Sequence, residues 1–391
     1  MAATTRGQFV TILLLLACLF GFTPTGRASD PVDDFVNRYM HDHEIPGCAI
    51  MVRHNGKVVT KVYGKANLEC GVPVTPQTLF QSASVGKQFT AMAVMLLVED
   101  HKLSLDDPIS KYLRVPPVPK NWSRITVRHL LTHTSGLGDY PKWLTYRDDY
   151  DDDGLLNMVT QERLCYEPGE RFDYSNLGYV TLGLLIRNRS GEFYGDFLQK
   201  RVFGPLGMKD TRVISDQDII PNRASGYFLD DNNNLKNQVW VSPTFNSTAD
   251  GTLYFTVEDL AKWDEALEAE KLLSHDSFKQ IWTPFKLNDG STGPYGFGWF
   301  IDHTKSGHRM LWHDGKWQGF SAYIARYPGD RLTVATLCNR RSADNEDITE
   351  EITKQTAGIY VPALASPARV KTQTSNTDTD ETSRRSDSRR R

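Results

Sequence analysis

The stretch Ser84-Val85-Gly86-Lys87 stands directly before an apolar run from Phe89 to Val98. The run is apolar on nearly every helical face, which predicts a helix buried in the middle of a domain. Positions i and i+3 share one face, so the Lys87 amine can hydrogen-bond the Ser84 hydroxyl and help to deprotonate it. Partial desolvation of Lys87 would favour its neutral, basic form. Taken alone, the pair also fits an exposed turn with a solvated lysine.

A second segment, Pro168-Gly169-Glu170-Arg171-Phe172-Asp173-Tyr174-Ser175-Asn176, joins a Pro-Gly turn to a helical pattern from Leu177 to Ile186. Tyr174 and Asn176 lie two apart where the turn enters the helix, so both polar ends can project into one cleft. A phenol near a lysine amine can act as a general base, and a carboxamide can hold a substrate amide. By itself the segment also fits a buried tyrosine and an N-cap asparagine.

A third segment, Trp312-His313-Asp314-Gly315-Lys316-Trp317-Gln318-Gly319-Phe320, is followed by the strand-like Ser321-Ala322-Tyr323-Ile324-Ala325. A glycine inside an extended segment often marks the close approach of another backbone or a ligand. Gly315 can therefore let a substrate lie along a strand edge. His313, considered alone, also fits a structural or surface histidine.

Taken together and in this order, the three segments resemble the serine β-lactamase and penicillin-binding-protein superfamily, in particular its class C β-lactamase-like and DD-peptidase-like branch. That family has Ser-x-x-Lys, Tyr-x-Asn and Lys/His-x-Gly motifs, which this chain matches with Ser84/Lys87, Tyr174/Asn176 and His313/Gly315. The linking segments that also look like the family are Ile125–Leu137, Gly204–Thr211 and Leu253–Trp263. The resemblance covers about residues 32 to 362.

The resemblance implies acyl transfer through a covalent serine ester. Ser84 would attack a carbonyl, Lys87 and Tyr174 would shuttle its proton, and Asn176 would orient the substrate amide. The backbone N–H groups of Ser84 and Lys316 would form the oxyanion hole, where the lysine side chain is incidental. Such chemistry needs no metal and no cofactor.

The third motif departs from the family pattern, because many members have lysine where this chain has His313. Histidine offers a positive charge for a substrate carboxylate only when protonated, near its usual pKa of about 6.5. Asp314 would favour the protonated histidine but would repel an anionic substrate if it faced the cleft. The histidine variant resembles esterases, D-amino-acid peptidases and carboxypeptidases. We therefore expect a serine hydrolase of esters or peptides rather than an efficient β-lactamase. D-amino-acid peptides and β-lactams stay open as substrates.

Two alternatives stay open. A transacylase would pass the same acyl group to an alcohol or amine, and a catalytically inactive relative would bind cell-wall peptides.

The expected partner is a small-molecule or peptide substrate and not nucleic acid, because the body of the chain is more acidic than the whole-chain charge of -3. Asp149-x-Asp151-x-Asp153-Gly154 begins like a calcium loop, but its twelfth position is Thr160, so a complete EF-hand is absent. The oligomeric state is left open.

The N-terminus predicts a secretory signal peptide over residues 1–28, because Arg6 precedes an apolar stretch from Phe9 to Phe22 and Ala28 offers a cleavage site. The expected location is secreted or periplasmic, with only transient membrane contact unless a lipid is attached at Cys18. Four further cysteines allow one or two disulfides in an oxidising compartment, with four free thiols as the alternative. They are Cys48, Cys70, Cys165 and Cys338.

The predicted fold class is α+β, an α/β sandwich. An antiparallel sheet from the N- and C-terminal parts is flanked by helices and joined to a mainly helical middle. The predicted hydrolase domain spans 29–362, with an α/β part at 29–83 and 256–362 and a helical part at 84–255. Residues 363–391 are expected to form a disordered tail. The predicted elements are a first helix Val32–Met40, a hairpin of Ala49–Val52 and Val58–Tyr63, strands Phe297–Ile301, Phe320–Tyr327 and Leu332–Cys338, and a closing helix Ile348–Ile359.

Overall fold

The computed structural model describes residues 29–113, 119–161, 164–343 and 346–365. The predicted signal peptide, Cys18 and residues 366–391 of the predicted tail lie outside the described residues. Within those ranges, no helix combines the length and the apolar character that crossing a bilayer requires.

The helices begin at side-chain caps in several places. Asp30, Ser175 and Thr256 each accept a hydrogen bond from a backbone N–H in the first turn of the helix that follows. The α-helices of the described chain are α1 (Pro31–Asp42), α2 (Lys87–Glu99), α3 (Val127–Leu131), α4 (Asp152–Gln161), α5 (Asn176–Ser190), α6 (Tyr194–Leu198), α7 (Gly204–Leu206), α8 (Val257–Glu268), α9 (His275–Ile281) and α10 (Ile348–Tyr360). The predicted first and closing helices are therefore confirmed as α1 and α10.

The strands form one large and two small sheets. They are β1 (Gly47–His54), β2 (Lys57–Asn67), β3 (Val72–Pro73), β4 (Phe80–Gln81), β5 (Arg212–Val213), β6 (Tyr227–Leu229), β7 (Leu235–Asn237), β8 (Leu253–Phe255), β9 (Phe300–His303), β10 (Arg309–Trp317), β11 (Phe320–Tyr327) and β12 (Leu332–Cys338). The seven-stranded sheet is antiparallel and has the order β3-β2-β1-β12-β11-β10-β9. The predicted sheet from both ends of the chain is confirmed, as is the hairpin, whose turn residues Asn55 and Gly56 both have positive φ.

Side chains alternate between the two faces of this sheet. Cys48, Ile50 and Val52 of β1 pack into one core with α1 and α10. Ala49 and Met51 belong to the other core, which contains α2 and α8. Because successive strand residues point to opposite faces, one sheet buries two helical layers. The helix that follows Ser84 is thus part of the main core, and its residues from Lys87 to Leu97 are all buried.

Two predictions differ from the structure. The strand predicted from Phe297 begins only at Phe300, because Gly298 turns the chain with φ 76°. A Cβ at Gly298 would lie 2.7 Å from the Cα of Gln88, so this turn packs directly on the start of α2. The predicted tail also starts too early, since Leu364 is buried in a short 3-10 helix, Pro362–Leu364.

The four cysteines of the described chain are free thiols, and Cys48 faces Cys338 across β1 and β12. Of the two alternatives that the sequence left open, the structure therefore agrees with the four free thiols.

A buried carboxylate ties α8 to the sheet. Asp264 accepts hydrogen bonds from Arg326 Nε at 2.6 Å, Thr333 Oγ1 at 2.8 Å and Arg53 Nη1 at 3.2 Å. Its side chain is 1% exposed, so these three donors replace the water that an ionised carboxylate needs. The strands β1, β11 and β12 are thereby held to one helix.

We predict that Asp264→Ala lowers the free energy of unfolding by about 3–5 kcal/mol, because it leaves buried arginine groups without their counter-ion. Urea unfolding followed by circular dichroism measures the change. Asp231→Ala, at an exposed loop carboxylate, is the matched control and should change stability by less than about 0.5 kcal/mol. Equal stability of the two variants would contradict this role for Asp264.

Candidate active site

Ser84 lies in a 3-10 turn, Ala83–Gly86, that leads directly into α2. Ala83 has φ 44°, a left-handed conformation that is strained for a residue with a side chain. Two glycines allow the turn to pack against the chain before β8. A Cβ at Gly86 would lie 2.8 Å from the Cα of Gly251, and a Cβ at Gly251 would lie 2.2 Å from the carbonyl oxygen of Ala83. The Ser84 backbone is therefore held by backbone contacts on both sides.

The Lys87 amine is the centre of the site. Its Nζ donates to Ser84 Oγ at 3.0 Å, to Asn176 Oδ1 at 2.7 Å and to the backbone oxygen of Asp250 at 2.5 Å. The predicted contact between Ser84 and Lys87 is thus present, with the lysine at the first position of α2 and the serine in the turn before it. An ammonium group has three donors, and all three have partners here.

Burial lowers the pKa of Lys87 from 10.5 to about 8, because the charged amine loses its water. The carboxylates of Asp250, Asp139 and Asp314 oppose this effect by favouring the charged form. Lys87 is therefore about one-tenth neutral at pH 7 and about half neutral at pH 8, and the neutral amine can accept a proton. The solvated lysine that the sequence also allowed is excluded, since Lys87 has no exposed surface.

Tyr174 lies beside this amine, with Lys87 Nζ 4.9 Å from its ring centroid. Burial raises the pKa of Tyr174 well above its usual value, although the adjacent Ser84 hydroxyl favours the ionised form. Within the described residues its buried hydroxyl has no hydrogen-bond partner of regular geometry. The ring stacks on His133 at 4.1 Å between centroids, and His133 Nδ1 accepts from the Ser175 backbone N–H at 3.0 Å. Tyr174 is therefore a neutral phenol in a fixed orientation.

Asn176 is the first residue of α5, and Ser175 rather than Asn176 provides the N-cap. The carboxamide is thus free to serve the site. Its oxygen accepts from Lys87, which leaves Nδ2 to donate to the Asp139 carboxylate at 3.0 and 3.2 Å. This fixes which end of the amide faces the lysine.

His313 does not reach the cleft, in contrast to the direct substrate contact that the third motif suggested. The side chain is fully buried on β10. Its Nδ1 lies 2.6 Å from the backbone oxygen of Asp314, and its Nε2 lies 2.8 Å from the Tyr295 hydroxyl. A carbonyl only accepts, so Nδ1 carries the proton and Nε2 accepts from Tyr295.

Burial lowers the pKa of His313 to about 3, and the nearby Lys87 amine acts in the same direction. The expectation that Asp314 favours a protonated His313 is therefore not supported, because burial and the Lys87 amine outweigh the hydrogen bond to the Asp314 backbone oxygen. His313 is neutral at any working pH and offers no charge to a substrate carboxylate.

Gly315 faces the nucleophile turn. A Cβ there would lie 2.8 Å from both the Ser84 backbone nitrogen and the Ser82 oxygen. The close approach that the sequence predicted is thus a contact of β10 with the backbone that carries Ser84. At Lys316, the side chain turns to the Asp347 carboxylate at 2.7 Å and the Glu346 backbone oxygen at 2.8 Å, away from the reacting centre.

The predicted catalytic groups open into a cleft of about 710 Å³, which is lined by Ser84, Asn176, Asp250 and Lys316. Its walls are rich in aromatic side chains, which were not predicted as a group because they come from separate segments of the chain. They include Tyr140, Tyr146, Trp240, Phe245 and Trp317.

Asp250, Gly251 and His133 are further residues that the sequence analysis did not single out as functional. Their roles depend on contacts with Lys87, with the nucleophile turn and with Tyr174, and no local motif marks such contacts. His133 lies in the segment Ile125–Leu137 that resembles the family, and this resemblance is the one feature of the sequence that could have marked it as functional.

This fold, with a serine and a buried lysine in contact at the start of a core helix, defines a serine hydrolase of the β-lactamase and penicillin-binding-protein class. The sequence model of the family described as Beta-lactamase matches residues 32–357. The chain belongs to this family. Penicillin-binding protein 4* of Bacillus subtilis is 32% identical over 314 residues, which cover 76% of this chain and 69% of that protein.

Solved structures agree with this assignment. The octameric penicillin-binding protein homologue from Pyrococcus abyssi superposes with a TM-score of 0.73 at 29% identity, over 85% of this chain and 77% of that chain. The D-amino acid amidase from Ochrobactrum anthropi, solved with L-phenylalanine amide, has a TM-score of 0.73 at 23% identity, covering 86% and 99% of the two chains. A class C beta-lactamase has a TM-score of 0.70 at 23% identity, covering 82% and 93%. The last two show the shared fold alone.

We predict that kcat/KM for a neutral ester rises with pH through an apparent pKa near 8, because Lys87 accepts a proton only in its neutral form. No inflection should arise near pH 6.5, since His313 stays neutral.

Lys87→Arg should lose about 10²–10⁴ in kcat/KM, as arginine remains protonated. Rates measured from pH 5 to 10 test this, with Lys305→Arg at an exposed lysine as control. A flat profile would contradict the role of Lys87.

Gly315→Ala should lower kcat/KM by about 10²–10³, the cost of disturbing an oxyanion donor, because the added methyl group meets the Ser84 backbone nitrogen. Gly329→Ala is the matched control, since a Cβ there meets nothing within 4 Å. Steady-state kinetics on both variants provide the measurement. A Gly315→Ala enzyme as active as the control would show that this approach does not matter for catalysis.

Proposed function

We propose that this protein is an exported serine hydrolase that cleaves esters or amides through an acyl-Ser84 intermediate. The observation that supports it most strongly is the hydrogen bond from the Lys87 amine to Ser84 Oγ at 3.0 Å, made by an amine whose pKa is lowered to about 8. The apolar stretch near the N-terminus supports export.

In the acylation step, neutral Lys87 accepts the proton of the Ser84 hydroxyl while Oγ forms a bond to the substrate carbonyl carbon. The negative charge that develops on the carbonyl oxygen is stabilised by the backbone N–H groups of Ser84 and Lys316. Tyr174, a neutral phenol, donates a proton to the leaving alcohol or amine and is reprotonated by Lys87. The carbon–leaving-group bond breaks, which leaves an ester on Ser84.

In the hydrolytic step, water takes the place of the leaving group. Lys87, neutral again after it has passed its proton to Tyr174, accepts a proton from the water while the water oxygen attacks the ester carbonyl. The Ser84–acyl bond breaks, the proton returns to Ser84 Oγ, and the carboxylic acid leaves. Asn176 holds Lys87 in place throughout, because its amide oxygen is fixed by the bond of Nδ2 to Asp139.

The cleft supports an apolar or aromatic acyl group. Its aromatic walls match such a group, and D-amino-acid amides with aromatic side chains are one candidate class of this kind. A β-lactam or a C-terminal peptide brings a carboxylate, and the third motif offers it no positive charge from His313, which is buried and neutral. We therefore propose that β-lactams are poor substrates.

The test begins with intact-mass spectrometry after treatment with an alkyl fluorophosphonate, which phosphonylates activated serines. Wild type and Ser306→Ala, altered at an exposed serine, should each gain one adduct, and Ser84→Ala should gain none. An adduct on Ser84→Ala would show that the nucleophile lies elsewhere.

Turnover is then compared for p-nitrophenyl butyrate, D-phenylalanine amide and benzylpenicillin. The proposal expects hydrolysis of the ester or the amide and a kcat/KM for benzylpenicillin at least about tenfold lower, a difference of about 1.4 kcal/mol in transition-state stabilisation. Penicillin as the best substrate would contradict it. An acyl-enzyme that turns over only after an alcohol or amine is added would instead establish a transacylase.

A further inference from the structure

A second cavity of about 320 Å³ lies on the side of the sheet that α8 and α9 cover. Its walls come from α8, α9 and the ends of β1, β11 and β12, and none of the catalytic residues lines it. One part of the wall is apolar, with Leu267, Phe278, Trp282 and Leu332. The cavity is within the size range of small-molecule sites.

Two residues that line this cavity each have a buried hydrogen-bond donor with no partner among the described residues. The donors are Nη1 of Arg326 and Nε1 of Trp282. Arg326 is 6% exposed, and its guanidinium group lies over the Trp282 ring at 4.7 Å from the centroid. Buried donors in native proteins nearly always have an acceptor, so this pair indicates a missing one. Both groups donate, which indicates a ligand that accepts.

The charges around the cavity favour an anion. Five of its lining side chains are permanently cationic, and they are Arg53, Lys279, Arg309, Arg326 and Arg331. The three carboxylates are Asp264, Glu268 and Glu270, which leaves a net charge of +2 with His275 counted as neutral.

All three carboxylates already have partners. Asp264 accepts three hydrogen bonds from Arg326, Thr333 and Arg53, as described above. Glu268 pairs with Arg53, and Glu270 lies 2.8 Å from His275 Nδ1.

Two of the cations are left without a carboxylate. Arg309 Nη2 donates to the backbone oxygen of Trp282 at 2.7 Å. Among the residues that the structure covers, neither Arg309 nor Lys279 has a carboxylate within ion-pair distance. A bound anion would thus face unmatched positive charge and two free donors.

We propose that this cavity is a binding site for a small carboxylate with an apolar body. Both donor atoms are buried in this structure, so binding requires the partly exposed Trp282 side chain to shift, after which the carboxylate oxygens accept from Arg326 Nη1 and Trp282 Nε1. Lys279 and Arg309 supply charge, and the apolar body packs on Leu267 and Phe278. An uncharged ligand would leave the charge unmatched, and a purely inorganic anion would leave the apolar wall in contact with water.

Isothermal titration calorimetry with octanoate tests the site. Octanamide, which has the same apolar chain without the charge, and inorganic phosphate, an anion without an apolar chain, are the two comparison ligands. Octanoate should bind to wild type and equally to Ser84→Ala, because the site is separate from the catalytic cleft. Trp282→Phe keeps the ring under Arg326 and removes only the donor, so it should weaken binding about tenfold, the worth of one hydrogen bond to a charged group.

Lys279→Gln should also weaken binding, whereas Lys305→Gln, at an exposed lysine outside the cavity, should not. Three results would overturn the proposal: no heat with octanoate, octanamide binding as tightly as octanoate, or phosphate binding in place of octanoate. Octanoate binding that Trp282→Phe and Lys279→Gln leave unchanged would also overturn it, since the ligand would then lie elsewhere. The Ser84→Ala result keeps this test independent of the proposed hydrolase activity.

Discussion

A buried lysine amine that contacts a serine hydroxyl is the constraint on which the rest of this structure depends. Lowering the pKa of Lys87 from 10.5 to about 8 corresponds to a preference of about 3 kcal/mol against the charged amine. The loss of water on burial causes that preference. The three acceptors around the amine, Ser84 Oγ, Asn176 Oδ1 and the Asp250 backbone oxygen, oppose it in part, because they stabilise the charged form. The amine is thus desolvated without being left unpaired, which suits its proposed role as a base.

The large sheet and the core helix serve this arrangement. Strand β10 places Gly315 against the backbone of Ser84, and the turn at Gly298 packs on the first turn of α2. Gly251 presses on the same turn from before β8. Three separate segments thus fix one short stretch of backbone, and side chains at any of the three glycines would displace it. The strain at Ala83 is sustained by these contacts.

Much of this was predictable from sequence, because its signals are local. The Ser84/Lys87 spacing with an apolar helix behind it, the strand-like runs that form β11 and β12, and the Asn55-Gly56 turn each have a direct physical meaning. The burial of His313 was not predictable, since it follows from Tyr295 and from layers on both sides of β10. The same holds for Asp250, whose backbone oxygen rather than its side chain meets Lys87. Tertiary contacts of these kinds leave no pattern in a single sequence.

The most direct test of the account is an NMR titration of Lys87 itself. In protein labelled with ¹³C at the lysine Cε positions, the Lys87 resonance is assigned by its loss in Lys87→Arg and followed from pH 6 to 11. We predict a midpoint near 8, well separated from the midpoints of the exposed lysines. A midpoint near the ordinary value of about 10.4 would show that the amine is fully charged in the resting enzyme, and the proposed role of Lys87 as the base would be wrong.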